Sequence, residues 1–575
     1  EPPTGTPRAV DLDLDGLTDL VWPSATHPAA GRRGLGHSGG GLTFVLGEPF
    51  ASARPEEAGL ETGDFDGDFD LDLVRHDGSG VTLLRAEGKG RGLALALSGY
   101  KDNARGVGAI VELRGGLHYR RLTTRGVPEL VGLGGEELDM LRVTWPNGVV
   151  QSLFDLERGV ERIVAQWPGQ GGSCPFLYTW NGTTYEFISD VLGITPLGLP
   201  MAPGMLVPPD HDEYVLVKGE QFVPKDGILE LHLTEELREV TYLDRIRLDV
   251  VDHPADTEVF PNERFSFPPF PEAHTHSVKD ALAPLSAVDQ NGKDWRSELA
   301  RDDRTFALPF QNEIGPYRGL AKPYTLELAF AAEPVRAAEK LRLFLNGWLV
   351  WTDASVNMAV AQDPHAEFVP PMLSVPDGNG GWRECGPIGF PAGKLKTMAF
   401  DVSVLLNRDD PRIRLSSTLR LYWDSIRLAT DADDAPRVTT SLEPASAKLW
   451  QRGFSKVSMV LGEHGGEWFD WNELDPRPRW NQHPGFYTKL GETLPLVSAI
   501  DDCFVIMGAG DALTVRFDAR GLPPLPAGWR RDYLVFLDGW AKDRDPNTLE
   551  ALYVEPLPFH GMSGYPYGKD EHYPD

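Results

Sequence analysis

Two short stretches near the start of the chain share one unusual pattern. Residues 11–21 read DLDLDGLTDLV and residues 64–74 read DFDGDFDLDLV, both D-x-D-x-D-x-x-x-D followed by Leu and Val. The carboxylates at the positions of the pattern are Asp11, Asp13, Asp15 and Asp19 in the first stretch and Asp64, Asp66, Asp68 and Asp72 in the second, where Asp70 is a further acidic residue. Four like charges in so short a loop repel one another and oppose compaction. A hard divalent cation reverses the sign, because calcium takes about six to eight oxygens and alternate residues of a tight loop point inward at it. These eight aspartates are the expected metal ligands, with calcium as the cofactor. Gly16 follows the third carboxylate of the first loop, where the chain must turn sharply; the second loop has Phe69 there and Gly67 two residues earlier, a departure expected to strain that site. The flanking amphipathic helices of an EF-hand are missing. Apolar, strand-like residues follow each loop instead, Leu20-Val21 and Leu73-Val74, so the pattern reads as calcium loops feeding β-strands.

The two copies begin about 53 residues apart, a period that suits β-propeller blades. The loops resemble FG-GAP/VCBS repeats, whose blades carry DxDxDGxxDL calcium loops in extracellular proteins. Two blades do not close a propeller, which takes about four to eight. The resemblance therefore implies that residues 1–90 are an incomplete set of blades, completed by upstream chain or by a protein partner that covers the exposed edge strand. The chain starts at Glu1 without Met or leader, as a processed product would.

Residues 99–113, GYKDNARGVGAIVEL, and 141–153, LRVTWPNGVVQSL, read as a small β unit. Gly106 and Gly108 permit a bend before a strand at Ala109–Leu113, and Pro146-Asn147-Gly148 turns between strands Leu141–Trp145 and Val149–Leu153. Asn103, Gly106, Gly108 and Ala109, with Trp145, Pro146 and Gly148, resemble the N-x-x-G-x-G-A and W-P-x-G segments of the ASPIC/UnbV domain, which places that domain at 91–168. The resemblance implies an extracellular calcium-binding or interaction role and brings no catalytic set. Asn103 is expected to hold its own loop through its amide.

Beyond the linker Trp167–Ser173 the chain reads as all-β. Phe176, Tyr178 and Trp180 alternate, Asn181-Gly182 turns, and Tyr185 and Phe187 alternate again. Residues 174–575 carry an internal repeat. LTEELREVTYLDRIRL (233–248) matches LSSTLRLYWDSIRL (415–428), and LELAF (326–330) with FLNGW (344–348) matches LTVRF (513–517) with FLDGW (536–540). The matches lie about 180 and 190 residues apart, which predicts two related β-sandwich domains at 174–375 and 376–575. Asp244 and Asp424 are expected to pair with a neighbouring Arg on the polar strand face. Trp348, Trp423 and Trp540 are the residues that would stack on a sugar if exposed, or plug a sandwich end if buried.

A net charge of −30 excludes a general nucleic-acid or anionic-lipid partner, and no apolar run approaches the roughly 18–20 residues of a membrane span. Cys174, Cys385 and Cys503 are too scattered for a zinc or haem device and are expected as buried free thiols. There is no P-loop or HExxH. His274 and His276 fall in a Pro-rich loop expected to be solvated, while His211 lies beside Asp212 and Glu213, and His464 and Glu467 flank a glycine turn. The leading expectation is a non-catalytic, calcium-stabilised binding or scaffold protein, extracellular or periplasmic, acting on a protein or glycan. The alternative is a carbohydrate-binding protein or polysaccharide-active enzyme with its site between the two large β-domains.

Overall fold

The computed structural model describes residues 8–574 except 12–13, 15–18, 22–29, 36–42, 50–58, 78–79, 86–91, 101, 133–136, 157–160, 168–174, 194–195, 272–273, 280, 311–316, 432–434, 460–466 and 476. The architecture is all-β, and the longest described helix, Ala354–Val360, has 7 residues. Among the described residues no helix is long and apolar enough to cross a membrane. The chain forms two compact units, Glu1–Gly169 and Gln170–Asp575.

In the first unit each aspartate loop leads into a strand, as its Leu-Val ending requires. Arg8–Val10, Asp19–Val21, Ala30–Leu35 and Thr43–Pro49 form one antiparallel sheet in sequence order, and Gly59–Gly63, Asp72–Asp77 and Gly80–Leu84 form the next. Farther on, Ile110–Gly115 pairs with His118–Thr123 and Leu138–Thr144, and the latter with Val150–Leu156. Trp145 is buried at the turn, where the Gly148 amide donates to its carbonyl at 2.9 Å and Gly148 adopts φ +87°. Asn103 holds its loop as expected: its Nδ2 donates to Val107 O at 2.9 Å and its Oδ1 accepts from Val107 N at 2.6 Å.

The second unit contains two related modules, each with one core between two sheets. In one module the sheet holding Phe176–Trp180, Ile228–Thr234, Asp511–Asp518 and Ser446–Gln451 faces the sheet holding Asp212–Val217, Trp529–Asp543 and Glu239–Pro254. Leu229, Leu231, Leu233, Ile246, Leu248, Val515, Val535 and Leu537 fill the space between them. In the other, Ser286–Asp289, Leu320–Ala329, Arg412–Leu419 and Met372–Pro376 face Leu421–Ala429, Arg342–Leu349 and Lys396–Asp401 over Leu326, Leu328, Leu343, Leu345, Ile413, Ile426 and Leu428. Alternation at period two puts these residues on one face of each strand.

The division at 375/376 does not hold. The repeat is tandem in sequence, but each module combines strands of both copies, and the repeated Asp-x-Ile-Arg-Leu strand of one copy pairs with the Phe-Leu-x-Gly-Trp strand of the other. Strands Ile228–Thr234 and Glu239–Pro254 of the first copy pair with Asp511–Asp518 and Trp529–Asp543 of the second. Strands Arg412–Leu419 and Leu421–Ala429 of the second copy pair with Leu320–Ala329 and Arg342–Leu349 of the first. The second module, spanning about residues 258–430, is thus inserted within the first. Sequence similarity could not reveal this, because the repeated motifs are alike in both copies; what differs is strand length, a strand of 16 residues pairing with one of 15 and a strand of 9 with one of 8.

Candidate metal centre and repeated bulge site

Asp64, Asp66 and Asp72 each direct one carboxylate oxygen into a space where these atoms lie within 4.8 Å of one another. The backbone of the loop arranges this. Asp64 accepts from the Gly67 amide at 2.7 Å and the Phe69 amide at 3.1 Å, and Asp72 accepts from the Phe65 amide at 3.0 Å. A carboxylate has about four lone-pair sites, so these bonds leave capacity for a cation. Gly67 takes φ +83° and Phe69 φ +67°, so the position where the first loop carries Gly16 holds a bulky residue in the left-handed region. Asp68 lies against Asp66 and accepts from the Asp70 amide at 3.0 Å. Asp72 is fully buried, and the Asp66 carboxyl is pushed above its ordinary value by desolvation, then by the Asp68 and Asp72 charges, with Arg85 opposing at 3.6 Å. An all-oxygen set of this kind fits a hard cation such as calcium.

In the first loop Asp11 is buried and accepts from Arg120 Nη1 at 3.0 Å, and Leu14 takes φ +54°. Leu14 and Gly67 hold equivalent positions, so the two loops share a left-handed turn there. Asp19 begins a strand. Asp13 and Asp15 lie outside the described residues.

The repeated motifs of the second unit build one arrangement twice. Leu243 pairs with Gly539 and Arg245 with Asp538, leaving Asp244 in a bulge; Trp423 pairs with Gly347 and Ser425 with Asn346, leaving Asp424 in another. The motif glycines permit close strand approach: a Cβ would lie 2.2 Å from Tyr242 O at Gly539 and 2.4 Å from Tyr422 O at Gly347. Asp244 and Asp424 do not pair with a neighbouring arginine as expected. Both are buried, and each accepts two loop amides, from Asp501 and Asp502 (3.1 Å each) or from Asp303 and Arg304 (3.2 and 2.7 Å). A bulge turns the carboxylate inward, where the loop amides need an acceptor. Arg304 and Asp502 both take φ +64°, and Phe306 and Phe504 pack on Trp348 and Trp540. This loop is a third repeated element that sequence matching missed; its only signal was Asp303-x-x-Phe306 against Asp501-x-x-Phe504.

Asp424 also lines a cavity of about 330 Å³ with Glu263, Asn346 and Arg304, faced by Glu186 and Lys218 from the other module. Arg304 bridges the two modules to Glu186 at 2.6 Å. Burial and the Asp302 charge push the Asp424 carboxyl up to about 7. Burial pushes Glu263 up to about 7 as well, against the opposing Lys396 ammonium at 3.5 Å.

Trp348, Trp423 and Trp540 are each 2% exposed, so none offers a face to a sugar. They serve as the buried plugs. His276 is buried rather than solvated: it packs edge-on against Phe344 and contacts Arg342, whose position on the adjoining strand the sequence could not supply. Cys385 and Cys503 are free, as expected, but not buried: Cys385 is half-buried in the bulge of strand Trp382–Pro387 and Cys503 is exposed in a loop. Cys174 and His464 lie outside the described residues. Glu467 is buried beside the Lys394 ammonium.

No protein-family model matches the chain, and no curated protein matches it in sequence.

Proposed function

We propose that the chain is a calcium-binding, non-catalytic binding or scaffold protein of an extracellular or periplasmic space, with calcium held by Asp64, Asp66 and Asp72 and by the matching carboxylates of the first loop. The observation that carries this is the convergence of three carboxylate oxygens, one of them on a fully buried aspartate, in a loop whose amides fix them in place. Without a cation the cluster opposes its own geometry; with one, it fixes the entry to strand Asp72–Asp77. Binding only the folded state stabilises by about 2.7 kcal/mol at a hundredfold excess over Kd. For a unit of this size that raises the melting temperature by about 5–10 °C. Melting curves in millimolar calcium and in excess chelator test it; superimposable curves reject the proposal. The FG-GAP/VCBS and ASPIC/UnbV resemblances support the same assignment, with an upstream segment or partner completing the blades.

The cavity between the two modules supports a second reading, a carbohydrate-binding or polysaccharide-active protein. Asp424 and Glu263, both held near neutrality, would supply proton-donating groups. Release of reducing ends from a polysaccharide panel, abolished by Asp424→Asn, would favour it; no binding and no release would leave the first reading alone.

A further inference from the structure

We infer that the second unit holds a site for a divalent transition ion, formed by His211, His560 and Asp538 and separate from the aspartate loops. Asp538 is the acidic residue of FLDGW and is fully buried. Its Oδ2 lies 2.9 Å from His211 Nδ1 and its Oδ1 lies 2.8 Å from His560 Nε2. The candidate ligand atoms all lie within 4.8 Å of one another, and the two imidazoles meet edge to face at 4.7 Å. Three remote segments converge to make this: His211 precedes strand Asp212–Val217, Asp538 lies on Trp529–Asp543, and His560 comes from the C-terminal segment.

The surroundings are those of a metal site. The second nitrogen of His560, Nδ1, lies 2.7 Å from Asp502 Oδ1. Asp502 holds the Nδ1 proton and fixes the ring, as outer carboxylates do for metal-bound imidazoles, and a bound dication would take the place of the Nε2 proton that bonds Asp538. Asp244 lies beyond, its Oδ2 3.7 Å from His560 Nδ1. Asp244 is 0% exposed and its Oδ1 has no hydrogen-bond partner, a buried acceptor left unused beside the cluster. The Trp540 ring walls one side, 4.8 Å from the His560 ring. The His211 side chain is 42% exposed, so the cluster can be reached from water.

The sister module shows that the bulge does not need these ligands. Asn346 stands where Asp538 does, and its Nδ2 donates to Thr397 Oγ1 at 2.8 Å. Two imidazole nitrogens and one carboxylate suit zinc, cobalt or ferrous iron and not calcium.

The test uses the full chain, stripped of metal and held in excess calcium so that the oxygen-only loops are filled. Zinc is titrated against a chromophoric chelator, and cobalt is added to read ligand-field absorption. One tightly bound zinc and a cobalt spectrum of a nitrogen-containing site are expected. His211→Ala and Asp538→Asn, the latter copying the sister module, should weaken zinc at least a hundredfold, and Asp502→Asn about tenfold. Circular dichroism verifies that the variants are folded. No stoichiometric zinc, or unchanged affinity in folded His211→Ala and Asp538→Asn, overturns the inference and leaves a cluster of hydrogen-bonded ion pairs.

Discussion

Replacing Asp424 by Asn should make the protein more stable above neutral pH and change little in acid. Asp424 is 2% exposed, and its Oδ1 accepts the Asp303 and Arg304 amides, a role the Asn oxygen keeps. Burial first, then Asp302 and Asp303, raise its carboxyl from 3.8 to about 7. The folded state therefore binds a proton across that window that the unfolded state has released. Its contribution is full below the unfolded value and is lost as pH rises through 7. A shift of about three units is worth about 4 kcal/mol at most. The adjoining cavity admits water to the carboxyl, so about 2 kcal/mol is expected. Urea unfolding of both proteins at pH 4.5, 6, 7.5 and 8.5 gives the difference directly. The variant's advantage should be near zero at pH 4.5 and reach about 2 kcal/mol at pH 8.5. A difference independent of pH, or a variant less stable at pH 8.5, would refute the reasoning.

Other expectations follow from single contacts. Phe69→Gly removes about 1 kcal/mol of left-handed strain and should tighten calcium severalfold by calorimetric titration. Gly539→Ala and Gly347→Ala force a Cβ against a partner-strand carbonyl and should each cost about 3 kcal/mol or abolish folding, read by urea midpoint. Glu236 is fully buried and accepts from Tyr178, Thr234, Ser455 and Arg452. Glu236→Ala leaves the Arg452 charge uncompensated and should cost about 3–5 kcal/mol, with Glu236→Gln costing less.

Strand positions were legible because period-two alternation and turn residues act locally. The hairpin Phe176–Trp180 to Tyr185–Asp190 formed around Asn181, whose Oδ1 accepts from Thr183 and Thr184. The duplication was legible too, through Asp-x-Ile-Arg-Leu and Phe-Leu-x-Gly-Trp. The exchange of strands between the copies was not, since the repeated motifs are alike in both. The motif residues also had reasons the sequence did not reveal. Gly347 and Gly539 allow strands to close up, and Asp244 and Asp424 serve loop amides far away in the chain. The convergence of Asp64, Asp66 and Asp72 was legible, because their spacing brings them to one side of the loop; that Asp72 is buried and held by the Phe65 amide depended on backbone bonds that spacing does not encode. The His211, Asp538 and His560 cluster was invisible, because its members are scattered along the chain.

Terbium, a luminescent stand-in for calcium, gives the most direct test of the central claim that the converging aspartates hold a hard cation. Stripped protein should show saturable terbium emission that calcium displaces at millimolar concentration or below. Asp64→Asn with Asp72→Asn should remove the contribution of the second loop. Emission that calcium does not displace, or that survives unchanged in the double variant, contradicts the account.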